Sequence, residues 1–448
     1  MADQQRIYYA PWEKAFERIA TPFEEFLHRQ TTTGILLIGC AIIALGIANS
    51  PLMDAYEKLL HLKVGLTIGD WSLKLSVHHW INDGLMAIFF FVVGLEIKRE
   101  VLMGELSDLR SASLPVIAAI GGMVVPALLY WSITTGTDGV RGWGIPMATD
   151  IAFAVGVVAL LGSRVPKSLV TFLVALAIVD DLGAVTVIAL FYTETLSLPH
   201  LGAAGVVTLL LLTLNLVGIR NAIPYFLLAI LLWFAMQGSG VHATIAGIIG
   251  AFTVPLHARY RPGQFYQELR SDLEEVDRLS RPEGPVDPVQ TRLVWSMDRK
   301  LRLTIPLLER LESAWHIPST YLVIPLFALA NAAIPLDLGS IANATSDPVA
   351  LATMTGLVLG KPLGIAGTVL IAHRLGLGAL PHGVTPSHIV GAGLLAGIGF
   401  TMSIFIAELA FAGDPERVVV AKMGILGASL VAGISGYVWL RVMGGSNK

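Results

Sequence analysis

One cysteine, Cys40, stands among 448 residues. It has no partner for an intrachain disulfide, and no multi-cysteine metal site can be built from it. Charge is also scarce. Only 14% of the residues are Asp, Glu, Lys or Arg, against about 25% in soluble domains. A formal net charge of −3 gives no electrostatic reason to hold phosphate backbones, which argues against nucleic acid as a partner. What fills the chain is apolar: 54% hydrophobic residues and a mean hydropathy of +0.69. The apolar runs are spread along the whole length. That excludes a soluble enzyme and a domain with one anchor, and predicts an all-α polytopic membrane protein.

The first apolar run starts near Thr32, after a charged stretch, and no cleavable leader is expected. That stretch sets Trp12, Phe16, Ile19, Phe23 and Phe26 at helical spacing, with Glu and Arg between them. It predicts an amphipathic helix at the interface, interrupted at Thr21-Pro22. Twelve spans are expected, at 32–50, 79–97, 112–133, 143–163, 168–193, 200–218, 222–237, 239–256, 305–334, 349–373, 387–412 and 419–441. The chain then divides into an N-terminal segment (1–31), spans 1–8 (32–256), a charged insertion (257–304), spans 9–12 (305–443) and a tail (444–448).

Orientation follows from lysine and arginine placement. With twelve spans, 23 Lys and Arg fall on the side of the termini and 6 on the other, with Lys361 inside a span. Both termini are therefore expected on the cytoplasmic side of the membrane. Between spans 1 and 2, residues 63–68 and 71–75 alternate around Gly69-Asp70, which predicts a β-hairpin. Its free edges suit pairing with a second copy, so a homodimer through residues 63–75 is expected. In the insertion, Phe265, Leu269, Leu273, Val276 and Leu279 form one helical stripe among Arg, Glu and Asp. It predicts a solvated cytoplasmic helix.

Ionisable groups inside spans are costly and tend to mark function. Asp180 and Asp181 sit midway between the Lys167 and Glu194 that bound span 5. Lys361 sits at the centre of span 10, and Asp150 lies near the centre of span 4. Three segments thus place charge at one depth, and the lysine supplies the pairing that burial demands. Span 4 carries Pro146 just before Thr149-Asp150, and span 11 carries Gly391, Gly393, Gly397 and Gly399 near its middle. Both are expected to be interrupted there. Opened backbone frees carbonyls for a cation and N–H groups for an anion. Spans 3–5 and 10–12 then read as two inverted units.

Carboxylates, the Thr149 hydroxyl and free carbonyls are hard oxygen ligands, suited to Na+ or Li+ and not to a soft transition metal. Carboxylates in one low-dielectric site take either a cation or protons, and that competition is the core of an exchanger. No cofactor is expected beyond the transported ions. Two rival functions fit less well. A membrane-embedded Mg-dependent prenyl transferase would need a second acidic motif facing the Asp pair, and Lys361 would oppose a divalent ion. A cation channel would need repeated ligand rings along a continuous pore. Elsewhere, His242 reads first as a polar anchor, and Glu408 as a side chain snorkelling to the outer interface.

At these residues the chain resembles the NhaA family of bacterial sodium/proton antiporters over nearly its whole length. The resemblance rests on Asn82-Asp-Gly-Leu-Met-Ala, Gly94-Leu-Glu-Ile-Lys-Arg-Glu100, Pro146-Met-Ala-Thr-Asp-Ile-Ala-Phe153 and Ile178-Val-Asp-Asp-Leu-Gly183. It rests also on Ser239-Gly-Val-His-Ala-Thr244, Pro325-Leu-Phe-Ala-Leu-Ala-Asn331, Gly360-Lys-Pro-Leu-Gly364 and Gly399-Phe-Thr-Met-Ser403. It implies twelve helices with spans 4 and 11 unwound and crossing near the midplane, this family being a known case of inverted repeats. It implies electrogenic exchange of more than one H+ per Na+ or Li+, activated as cytoplasmic pH rises. By resemblance Asp181 is the primary cation and proton site, and Asp180 its partner, paired to Lys361 in one state. Thr149 and Asp150 offset helix ends at the crossing. Glu96, Glu100, His242 and Glu312 match the family's cytoplasmic pH-response region, and Asp83 matches an acid in its helix 2. Two departures stand out: the insertion at 257–304 is long for the family, and Glu408 replaces a small polar residue.

Overall fold

The structure, a computed structural model, describes residues 30–68, 71–193, 196–258, 262–279, 288–335 and 346–443. The expected amphipathic leader, the Gly69-Asp70 turn and the tail at 444–448 lie outside the described residues. The described chain is mostly helical. In order it runs α1 (Gln30–Ala48), α2 (Met53–His61), β1 (Lys63–Ile68), β2 (Trp71–Ser76), α3 (Val77–Met103) and α4 (Leu109–Thr134). A tight 3-10 segment (Asp138–Met147) leads to α5 (Ile151–Leu161), α6 (Lys167–Phe191), α7 (Leu198–Leu216), α8 (Ala222–Gln237) and α9 (Ile245–Thr253). Two insertion helices follow, α10 (Pro262–Leu279) and α11 (Pro288–Thr304). The rest is α12 (Leu307–Asn331), α13 (Pro348–Arg374), α14 (Pro386–Ala396), α15 (Phe400–Ala410) and α16 (Pro415–Met443).

Among the described residues seven helices are long and apolar enough to cross a membrane, or up to ten if each bent pair is one span. The bent pairs are α1 with α2 (110°), the 3-10 segment with α5 (43°) and α14 with α15 (47°). The expected span at 239–256 is helical only over Ile245–Thr253, well short of the ~20 residues a spanning helix needs. The residues before it go into a turn around Gly240, whose φ is +85°, a conformation glycine adopts at little cost.

The chain forms two compact units: residues 1–57, 113–180 and 328–448, and residues 58–112 and 181–327. In the first, α4 and α13 touch backbone to backbone. Gly121 and Gly364 face each other there, and a Cβ on either would strike the other's carbonyl. That approach carries Lys361, one turn earlier, into the interior. A π turn at Gly356–Gly360 precedes the lysine, a local widening of the helix often found at functional sites. In the second unit, α3 packs on α9 across Gly94 and Gly247. Leu95, Leu211, Leu232, Trp233, Ala251, Leu307 and Leu308 build its core.

β1 and β2 pair antiparallel, from Lys63 opposite Ser76 to Ile68 opposite Trp71. The insertion holds two helices where the sequence stripe predicts one. Lys300 of α11 lies 2.8 Å from Asp272 and 3.4 Å from Glu268 of α10. The α10 stripe is half-buried at Phe265, Leu269, Val276 and Leu279, with Leu273 exposed.

Candidate functional site

Residues 148–150 are extended rather than helical: ψ is 147° at Ala148 and 98° at Asp150. Pro146 ends the tight segment before them. Their backbone groups are therefore open to other partners. Asp150 N–H donates to Ile398 O at 2.7 Å, inside the other break, at 397–399. Asp150 is also the N-cap of α5, accepting from Phe153 N–H at 3.0 Å. Its second carboxylate oxygen accepts from Thr401 N–H at 3.1 Å and from the Thr401 hydroxyl. One carboxylate thus serves the N-termini of α5 and α15, the ends where helix dipoles favour negative charge. Ser403 donates to Ile145 O at 2.8 Å, and Phe400 N–H donates to Ser429 Oγ at 3.2 Å. The Asp150 and Ser403 bonds join the two breaks to each other, and the Phe400 bond ties the second break to α16.

Lys361 and Asp180 are both 0% exposed and form an ion pair. The Thr149 hydroxyl lies 2.8 Å from the same Asp180 oxygen and 2.9 Å from Ala396 O, so one proton serves two acceptors. The other Asp180 oxygen, Oδ1, is buried and has no hydrogen-bond partner among the described residues. An ionised carboxylate has about four acceptor positions, so this one retains capacity for a cation. Thr149, Asp150, Asp180 and Lys361 are thus brought together in the first unit. Asp181, the next residue on α6, is buried and belongs to the second unit. At 3.6 residues per turn it projects about 100° away from Asp180.

The second unit holds two separate polar clusters. Asp83 lies 2.8 Å from His79 Nε2 and 3.5 Å from His242 Nε2, and His242 Nδ1 is 2.8 Å from Thr244 Oγ1. At the far end of α3, Arg99 bridges Glu100 and Glu312, at 3.3 Å each. His316 stands 3.7 Å from Glu96. Lys98 donates to Phe252 O and Val254 O, both at 2.6 Å, and so caps the C-terminal end of α9. The structure therefore does not bring His242 to Glu96, Glu100 and Glu312, with which the resemblance groups it. Asp83 and Glu100 are 17 residues apart, about 25 Å along a helix. His242 precedes α9, and the other end of α9 is the one that Lys98 holds.

The expectation for Glu408 is corrected. It does not reach outward alone: it pairs with Lys422 of α16 at 2.6 Å. Lys422, three residues into the expected span at 419–441, is buried inside α16. Sequence reading also missed His79, Thr401 and Ser429. His79 carries a readable signal, the i,i+4 spacing to Asp83. Thr401 and Ser429 carry none, since their partners are distant in sequence or lie on another helix.

The family model described as Na+/H+ antiporter 1 matches residues 24–440. The Na(+)/H(+) antiporter NhaA of Sulfurimonas denitrificans is 51% identical, over 97% of this chain and 98% of that protein. The Na(+)/H(+) antiporter NhaA 1 of Saccharophagus degradans is 50% identical, over 98% and 95%. The Na(+)/H(+) antiporter NhaA of Helicobacter pylori is 44% identical, over 96% and 98%.

Proposed function

The chain belongs to the Na+/H+ antiporter 1 family, and on that premise we propose that it exchanges cytoplasmic Na+ or Li+ for external H+ across the bacterial inner membrane. It is a secondary active transporter and not an enzyme. Exchange is electrogenic, regulated by pH, proceeds by alternating access and uses no cofactor. Twelve transmembrane helices with inverted repeats at helices 3–5 and 10–12, both termini cytoplasmic, complete the reading. The breaks at 148–150 and 397–399 then lie at mid-membrane.

Asp181 takes either the cation or protons. Asp180 pairs with Lys361 in one state and releases it in another. Thr149 and Asp150 hold the crossing, Asp83 adds an acid in helix 2, and Glu96, Glu100, His242 and Glu312 set the pH response. The observation that carries this reading is the wholly buried Asp180–Lys361 pair, with its unused carboxylate oxygen. A pair that exists only to hold helices together has no need of an unfilled acceptor. A site that must trade a lysine or proton for a metal cation does.

The test uses everted membrane vesicles with an acid-quenched pH dye. Adding Na+ or Li+ should restore fluorescence, increasingly as pH is raised. Membranes that contain the inserted protein but give no response to either ion would refute the reading. Dimerisation through residues 63–75 is tested separately: removing residues 64–73 should give monomers that still exchange. A deletion variant that stays dimeric in detergent assigns the contact to another surface.

A further inference from the structure

The insertion helix α11 segregates its charge. It carries Arg292, Arg299, Lys300 and Arg302 against one acid, Asp298. Its neighbour α10 carries Glu268, Asp272, Glu274, Glu275 and Asp277 against Arg270 and Arg278. The acids of α10 reach α11 only through Lys300 among the described ion pairs. The arginines of α11 lie elsewhere. Arg292, Trp295, Arg299 and Arg302 follow spacings of three, four and three. At about 100° per residue they share an arc of about 80°. The buried Met297 points the opposite way. All four are exposed, and Trp295 is 71% exposed. Arg302 pairs with Asp298 at the edge of this arc, at 2.9 Å. Among the described residues, Arg292 and Arg299 have no ion-pair partner.

The position of the face matters as much as its composition. Only Ile305 and Pro306 separate α11 from the apolar helix α12. Arg310, in the first turn of α12, donates to Arg302 O at 3.3 Å. The last turn of α11 is therefore held against the start of a span. A basic, tryptophan-bearing helix face next to the end of a span has the chemistry of a membrane surface. Guanidinium groups bind phosphate in bidentate fashion, indole prefers the headgroup level, and anionic leaflets attract basic segments.

We propose that the Arg292–Trp295–Arg299–Arg302 face of α11 docks on the anionic phospholipid headgroups of the cytoplasmic leaflet. The inference rests on the proposed cytoplasmic placement of the insertion only for the choice of leaflet. Docking ties the insertion to the bilayer and makes its hold sensitive to lipid charge and ionic strength.

The experiment uses the full chain in nanodiscs of phosphatidylcholine, with or without phosphatidylglycerol. Both leaflets carry the same lipid, so the result does not depend on orientation in the cell. Amide hydrogen exchange over residues 288–304 is read by mass spectrometry. It should be about tenfold slower with phosphatidylglycerol. High salt should remove the difference, as should the double variant Arg292→Gln with Arg299→Gln. That variant should match the parent in phosphatidylcholine alone, which establishes that α11 is still folded. Equal exchange in the two lipids would overturn the proposal. So would protection produced by free inorganic phosphate in neutral discs, or protection that survives the double variant. Na+/H+ exchange is assayed on the same preparations. A chain that docks but does not exchange would refute the transport reading and leave this one standing.

Discussion

Two lysine–carboxylate pairs lie inside helices of the same unit and are built differently. Lys361 and Asp180 are entirely shut off from solvent. Their carboxylate is shared with Thr149, keeps one unused oxygen, and lies beside two interrupted helices. Lys422 and Glu408 meet at 2.6 Å between two regular helices, with side chains 9% and 20% exposed. Burial of charge is common to both. A buried oxygen with no described partner, and opened backbone beside it, belong to the first of the two alone. The contrast teaches that a charge buried inside a helix does not by itself mark a site: what surrounds the pair separates the two.

The largest effect is expected one residue beyond the first pair. On the proposed mechanism Asp181→Asn removes the charge for which cation and proton compete, and should abolish both Na+ binding and Na+-driven proton movement in a folded protein. Binding by calorimetry and dye dequenching read the two losses, and retained exchange would move the cation site elsewhere. Next comes the pair itself. Asp180→Asn strands Lys361, and breaking such a buried pair costs about 3–5 kcal/mol. Adding Lys361→Gln leaves no stranded charge, so the double variant should melt above either single one. A double variant no more stable than the singles would dissolve the partnership.

The second pair should respond less. Glu408→Gln should cost about 2 kcal/mol while exchange persists. Loss of exchange in a stable Glu408→Gln protein would erase the contrast between the two pairs. The smallest effect is expected at a third lysine, outside the spans. Hydrogen bonding to Asp272 raises the Lys300 pKa above its ordinary 10.5. A pKa raised by folding stabilises the protein below the unfolded value, and the contribution is lost as pH climbs through the folded one. The stability gap between the parent and Asp272→Asn should therefore hold, at under about 1 kcal/mol, from neutral pH upward and close only above about pH 10.5. Melts across that range measure it.

The sequence made the charges within the apolar runs legible because hydrocarbon punishes charge so heavily that each survivor is conspicuous. Asp150, Asp180, Asp181 and Lys361 were found by position along their spans alone. Pro146 and the glycines near 397 pointed to the places where helices end. The bonds that join those places were not legible. Asp150 to Thr401 and Thr149 to Ala396 O connect residues some 250 positions apart, and no local pattern records such a meeting. Lys422 was hidden by its proximity to a span end, where lysine normally reaches water. The second insertion helix was missed because its buried side is little more than Met297, too narrow a stripe to announce a helix.

The Asp150 carboxylate has a consequence for the order in which the protein is made. Its two helix partners are reached from opposite ends of synthesis: Phe153 emerges three residues later, Thr401 only after some 250 more. Chains fold from the N-terminus as they are translated. Through most of translation, then, Asp150 has its local bond and lacks Thr401 N–H, its hydroxyl and the carbonyl of Ile398. Asp180 likewise waits for Lys361. The early helices are thus made carrying acids whose partners in the folded structure do not yet exist, and water or a proton fills the place. The contacts that close both breaks are therefore completed only when the last helices have been made.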